Sequence, residues 1–154
     1  QMTMQPAVRR ATFADSESLA PVFDAYRTFF TGTSDPDGSR TFLSDRLQRE
    51  ESVVFGAFDG ERAAGFLQLY PLFSSWYAKR QWFLSDLFVD PSYQRRGIAR
   101  RLLDASTQLA RETQSRSILV ELPFSEPHLI KLYEAAGYGR DSVFALYRLT
   151  LAGA

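Results

Sequence analysis

Six consecutive residues, Gln94-Arg95-Arg96-Gly97-Ile98-Ala99, stand where an extended apolar segment gives way to a helical one, and their types suit a diphosphate. The backbone N–H groups of a first helical turn have no internal acceptors, and the helix dipole adds partial positive charge there. A phosphate group can sit on those donors. Gly97 lets the backbone approach closely, and the small side chain of Ala99 leaves the phosphate space open. Arg95, Arg96, Arg100 and Arg101 add positive charge around the junction. On spacing alone, an ordinary helix start with solvated arginines is the better reading. The segment is no Walker loop, because no Gly-Lys-Ser/Thr follows, and no dinucleotide fingerprint, which needs three glycines.

The elements that must carry this junction follow from periodicity. Pro6 to Phe13 alternates loosely and predicts a first strand. Asp15 or Ser16 is an N-cap for a helix whose apolar stripe is Leu19, Val22, Phe23, Tyr26 and Phe30. Thr31 to Gly38 is turn chemistry, and Ser39 to Arg49 is a short helix burying Leu43 and Leu47. Ser52 to Phe58 and Ala63 to Leu72 are strands joined by the hairpin signal Asp59-Gly60. Ser74 to Arg80 is a polar connection, and Gln81 to Val89 a further strand ended by Asp90-Pro91. Gly97 to about Thr113 is amphipathic, with Ile98, Leu102, Ala105 and Leu109 on one face. Ser117 to Leu122 is a strand, Pro127 to Ala136 a helix closed by Gly137, and Phe144 to Leu151 a last strand, with room for an extra one near Tyr138. The order predicts one domain over residues 6–152, α/β (α+β) in class, with helices packed on a mixed sheet. Residues 1–5 read as a disordered start or a cloning remnant.

Bulk properties narrow the chemistry. The chain has 154 residues, enough for one domain with a substantial core. Its 18 basic and 18 acidic residues balance, which argues against nucleic acid as the main partner. Cysteine is absent, so disulfides, thiolate nucleophiles and cysteine metal sites are excluded. His128 is the one histidine, so no histidine metal cluster can form and no metal is expected. Without a membrane-spanning run or a leader pattern, the expectation is a cytoplasmic protein with no membrane partner.

Context raises the weight of the hexapeptide. Together with the strand end Leu87-Phe88-Val89-Asp90-Pro91, it resembles motif A of the GCN5-related N-acetyltransferases, Gln/Arg-x-x-Gly-x-Gly/Ala after a hydrophobic-Val-Asp-Pro strand end. Ile118 to Leu122 resembles that family's next strand. Leu132-Tyr133-Glu134-Ala135-Ala136-Gly137-Tyr138 resembles its Leu-Tyr-Glu-x-x-Gly-Phe ending. The order of elements matches from about Val8 to Leu151. Two motifs at the right separation, on the right elements, are far more specific than either alone.

The resemblance implies a mixed, mostly antiparallel sheet of six to seven strands, flanked by about four helices and splayed between the fourth and fifth strands. It implies acetyl-CoA as co-substrate. The main chain from Gln94 through Arg95, Arg96, Gly97, Ile98 and Ala99 to Arg100 would hold the pyrophosphate, and the strand edge at Leu87, Phe88 and Val89 would pair with the pantetheine arm. A backbone N–H freed by a strand bulge would face the thioester carbonyl. Tyr133 would be the general acid for the leaving thiolate, although helical spacing by itself favours a packed aromatic. Asp86 would be the general base, with Glu121 on the next strand as the other carboxylate of the acceptor region. A structural hydrogen bond or salt bridge explains either carboxylate at least as well. Tyr26, Phe30, Tyr70, Trp76 and Tyr77 would line the acceptor pocket, and a homodimer is implied.

The nearest branch is the diamine acetyltransferase-like one, whose strand reads Leu-Glu-Asp-aromatic-Phe-Val. Here the strand reads Leu84-Ser85-Asp86-Leu87-Phe88-Val89, so Ser85 replaces that branch's base. Glu126 stands where the family usually has an asparagine beside the cofactor. Three functions fit these residues. The first is direct acetylation of a small primary amine, such as an amino acid or polyamine. The second is acetylation of a protein or peptide, and the third is a CoA-binding regulatory module without turnover.

Overall fold

The computed structural model describes residues 5–153, so the expectation for residues 1–4 lies outside it. The chain divides into two compact units, Gln1–Glu121 and Leu122–Ala154. No helix among the described residues is long and apolar enough to cross a membrane.

The first unit is a five-stranded sheet in the order β1 (Ala7–Arg10), β2 (Val53–Asp59), β3 (Arg62–Ser74), β4 (Lys79–Val89) and β5 (Ile118–Val120). The first three pairings are antiparallel and β4–β5 is parallel, so the sheet is mixed, as expected. β2 is buried without interruption from Val53 to Phe58, the mark of a strand covered on both faces. One cover is α1 (Ser16–Thr31) with α2 (Pro36–Gln48). Leu19, Val22 and Phe23 of α1 and Leu43 and Leu47 of α2 cluster with Val54, Phe58 and Phe66 of the sheet. The other is α3 (Ile98–Glu112), which buries Ile98, Leu102, Leu103, Leu109 and Ala110.

Several boundaries differ from expectation; β1 ends at Arg10 rather than Phe13, because a single tight turn occupies Phe13–Asp15. α2 begins at Pro36 rather than Ser39, because Asp35 caps it: its Oδ1 accepts the Gly38 N–H at 3.1 Å and Pro36 fills the first turn. The connection predicted over Ser74–Arg80 shrinks to residues 75–78, because β3 and β4 stay paired as far as Ser74 opposite Lys79. Pro71 is tolerated inside β3 because β2 has already ended, its last pair being Val53 opposite Leu69. β5 holds three residues, Ile118–Val120, instead of the six predicted over Ser117–Leu122.

The second unit contains α4 (Pro127–Ala135), after which Gly137 turns the chain at φ 99°. The predicted strand over Phe144–Leu151 is not formed among the described residues, nor is an extra one near Tyr138. The described sheet therefore has five strands, not six or seven. Apolar alternation marks a segment able to be a strand, but a strand exists only when its backbone is paired.

Candidate active site

β4 changes character at Ser85. On one side, Leu84 pairs with Leu69 and Asp86 with Gln68, so Ser85 is an extra residue without an opposite number on β3. On the other side, β5 accompanies β4 only along Trp82–Leu84, opposite Ile118–Val120. From Asp86 to Val89 the β5-side edge of β4 carries no described strand. Bulge and divergence coincide at one residue. The result is a short length of strand edge offering backbone donors and acceptors to an extended ligand.

That edge leads into the junction picked out by sequence. The Asp90 side chain accepts from the Ser92 N–H at 2.9 Å and holds a single tight turn over Pro91–Tyr93. Arg95 and Gly97 then both take left-handed backbone, φ 64° and 72°. Such alternation can bring successive N–H groups to one side of a turn. No heavy atom would meet a Cβ on Gly97 within 4 Å, so conformation rather than crowding calls for glycine here. The first bond of the helical pattern runs from the Arg101 N–H to the Gly97 carbonyl, at 3.1 Å. The amides ahead of it are the kind an α-helix leaves without an i−4 acceptor. Both observations fit a phosphorylated carrier.

Not all the predicted positive charge stays at the junction. Arg101 donates to the Pro6 carbonyl at 2.8 Å, and Arg100 pairs with Asp104 at 3.1 Å. Arg96 lies over the Tyr93 ring, 5.2 Å from its centroid.

Asp86 is the buried carboxylate of this region, 9% exposed. Its Oδ2 accepts from Gln68 Nε2 at 2.7 Å, and its Oδ1 accepts from the Ser85 hydroxyl at 3.2 Å. Gln68 is fully buried, and its Oε1 accepts from the Ser52 hydroxyl at 2.8 Å. Burial pushes the Asp86 carboxyl above the usual carboxylate range; hydrogen bonds from Gln68, Tyr26 and Ser85 oppose that shift. Tyr70, two residues beyond Gln68 on β3, is pushed up to about 12 by burial and by the nearby Asp86 charge.

Among the predicted acceptor residues, the structure joins Tyr26 and Phe30 edge-on at 5.3 Å, and Tyr26 also meets Phe88 at 5.9 Å. The Tyr26 hydroxyl reaches the Ser85 carbonyl at 3.4 Å. Trp76 and Tyr77 occupy the turn of the β3–β4 hairpin, at its opposite end from Val89, with Trp76 74% exposed. Glu121 directly follows β5 and is exposed. In the second unit Tyr133 is buried, edge-on to Tyr138 at 5.1 Å. Glu126 precedes α4 and lies 3.3 Å from His128 Nδ1. A cavity of about 730 Å³ between Arg10, Leu47, Pro71 and Trp82 is lined by none of the predicted site residues.

Sequence reasoning did not single out Gln68 or Ser52. The signal was present: in Gly65-Phe66-Leu67-Gln68-Leu69-Tyr70, the alternation sets an amide on the same inward face as Phe66, where a polar group needs partners.

Comparison with known proteins agrees with the geometry. The profile of the family described as "Acetyltransferase (GNAT) family" matches residues 19–138. The chain is 36% identical over 144 residues to the "Uncharacterized N-acetyltransferase YhfO" of Bacillus subtilis (strain 168), covering 94% of this chain and 97% of that protein. It is 32% identical over 136 residues to a "Probable acetyltransferase" of Haemophilus influenzae, covering 88% and 91%. The crystal structure of a probable acetyltransferase superposes with a TM-score of 0.91 at 37% identity, covering 96% of this chain and 99% of that one. The chain therefore belongs to the GNAT acetyltransferase family. It is an acetyl-CoA-dependent N-acetyltransferase.

Proposed function

We propose that this enzyme moves the acetyl group of acetyl-CoA directly to the primary amine of a small molecule, such as an amino acid, a polyamine or a related metabolite. The observation that carries the reading is the coincidence at Ser85 of the β4 bulge with the end of the β5 ladder. Residues 87–89 of β4 would pair with the pantetheine arm, and the junction amides from Gln94 to Arg100 would hold the pyrophosphate. Glu126 is read as a further cofactor contact. Tyr26, Phe30 and Tyr70 are read as acceptor-side residues, with Trp76 and Glu121 at its margin. A balanced charge favours a small acceptor over a protein.

In this reading the amine nitrogen bonds to the acetyl carbon, and the carbon–sulfur bond breaks as the tetrahedral intermediate collapses. Asp86 accepts the proton of the incoming ammonium, and Tyr133 gives a proton to the departing thiolate. A backbone N–H aimed at the developing oxyanion contributes about 3–4 kcal/mol. No protein nucleophile is needed, which suits a chain without cysteine. We read residues 6–152 as one catalytic domain, since the family profile extends into both units. A cytoplasmic location goes with acetyl-CoA as co-substrate.

The test is release of free thiol from acetyl-CoA across a panel of polyamines, amino acids, aminoglycosides and short peptides. Turnover with small amines supports the reading, and turnover with peptides alone replaces the acceptor class. CoA-induced stabilisation without turnover on any amine points to a binding module. Tyr133→Phe should lower turnover while leaving that stabilisation nearly unchanged. It amounts to about 2.7 kcal/mol at a hundredfold excess over Kd.

We further read the enzyme as a homodimer. Val143, Leu146, Tyr147, Leu149 and Leu151 are all exposed, Tyr147 at 92% and Leu149 at 86%, in a segment without regular secondary structure. β5 is the last strand in the order of the described sheet. A second copy can satisfy both features at once through a two-fold axis. Light scattering should give a dimer for the wild type and a monomer for Tyr147→Asp combined with Leu149→Asp. A monomeric wild type at tens of micromolar would remove the dimer.

A further inference from the structure

We infer that Gln68 is a positioning residue for the general base: with Ser52 behind it, its side-chain amide orients the Asp86 carboxylate and favours its proton-accepting form. The inference rests on the reading of Asp86 as base. Three buried side chains form one directed chain, Ser52 hydroxyl to Gln68 Oε1 at 2.8 Å and Gln68 Nε2 to Asp86 Oδ2 at 2.7 Å. An ionised carboxylate only accepts hydrogen bonds, so the amide must turn its NH2 toward Asp86 and its oxygen toward Ser52. The Ser52 hydroxyl, by donating to that oxygen, holds the amide in this sense. The arrangement favours the deprotonated carboxylate, because an N–H bond to an ionised acceptor is stronger than one to a neutral carboxyl. It opposes the upward shift that burial imposes on Asp86.

The surroundings leave few other groups to do this. Among the described residues, Tyr26 from α1 and Tyr70 from β3 lie at the Asp86 end, with Arg46 and Glu51 acting on Tyr70, and Arg10, Glu50 and Arg80 line a cavity with Ser52. No cation faces Asp86 among the influences that shift it. The bulge at Ser85 brings the neighbouring hydroxyl to Oδ1, so Gln68 and Ser85 together take one bond on each carboxylate oxygen. Each oxygen retains acceptor capacity for an incoming proton.

The experiment reads the protonation of Asp86 directly, by carboxyl ¹³C NMR titration of the apoprotein, with the signal assigned by its loss in Asp86→Asn. Gln68→Leu should raise the Asp86 midpoint by about one pH unit. Ser52→Ala should raise it by less, and Ser52→Thr, which keeps the hydroxyl, should restore the wild-type midpoint. With a turned-over amine, the acidic limb of kcat/KM should move upward by the same amount in Gln68→Leu, while CoA-induced thermal stabilisation stays unchanged. A purely packing role would lower the melting temperature and leave midpoint and limb in place, and that result overturns the inference. If Gln68→Leu does not fold, the Ser52→Ala and Ser52→Thr pair decides by the same comparison. An acidic limb that survives Asp86→Asn would sink the base reading itself; an unmoved limb in Gln68→Leu alone sinks only the positioning role.

Discussion

Gly65 lies directly opposite Val89, so close that a methyl group added at Gly65 would come 2.8 Å from the Phe88 carbonyl oxygen and 3.3 Å from the Val89 Cα. The nearest atom in the way is backbone, and it belongs to one of the same residues whose other edge is proposed to pair with pantetheine. Gly65→Ala must therefore push β4 outward or strain β3. The expected cost is about 1–3 kcal/mol in urea unfolding. CoA should also stabilise the variant less than the wild type. A loss of stability with an unchanged CoA response would separate the packing of this pair from ligand binding.

At Gly97 the obstacle is conformational, since φ is 72° and no atom stands within 4 Å of an added Cβ. Gly97→Ala should cost about 1–2 kcal/mol, and Gly97→Asn less, because asparagine enters the left-handed region more readily. If the junction amides hold the pyrophosphate, the loss in CoA affinity should follow the same order. Calorimetric titration of CoA into the three proteins measures it directly. Equal affinities would dissociate this turn from the carrier.

Much of the first unit was legible from periodicity. The stripe Leu19-Val22-Phe23 became the core face of α1, and the stripe Ile98-Leu102-Leu109 that of α3. Asp59-Gly60 became the β2–β3 turn. The junction at Gly97 was legible because a helix start and a motif occupy contiguous residues. A bulge in this strand was expected from the family resemblance alone; its place at Ser85 was not legible, because it is a mismatch of register between β3 and β4 that neither strand's own pattern encodes. The Ser52–Gln68–Asp86 chain joins three segments for the same reason. Phe144–Leu151 shows the converse: its alternation describes an ability to pair, and pairing depends on a partner outside the segment.

Asp24 is the anchor of the α1–α2 loop. It accepts from the Ser34 hydroxyl at 2.6 Å, the Asp35 N–H at 2.9 Å and the Ser39 hydroxyl at 2.8 Å. The Ser34 bond leads in holding its carboxyl below the ordinary 3.8. A carboxylate so depressed contributes stability that is present above 3.8 and lost as pH falls through its folded value. Asp24→Ala should cost roughly 2–4 kcal/mol at neutral pH, by leaving three donors without their acceptor. Its stability deficit should shrink below pH 3.8. Urea midpoints of the two proteins at neutral and acid pH check both the size and the sign.

Asp86 should show the opposite sign. Its folded carboxyl titrates above 3.8, first because burial disfavours the charge. Between 3.8 and that raised value the native state holds a proton that the unfolded chain has released. Unfolding stability from this group must therefore fall as pH rises through that window. Asp86→Asn removes the titration but keeps an oxygen able to accept from Gln68. The variant should thus gain on the wild type as pH climbs from 4 toward neutrality, and the difference should level off above the raised value. Urea midpoints of both proteins across that range measure it. A difference that stays flat would mean that the Gln68 and Ser85 bonds cancel the cost of burial completely, leaving Asp86 an ordinary carboxylate at neutral pH.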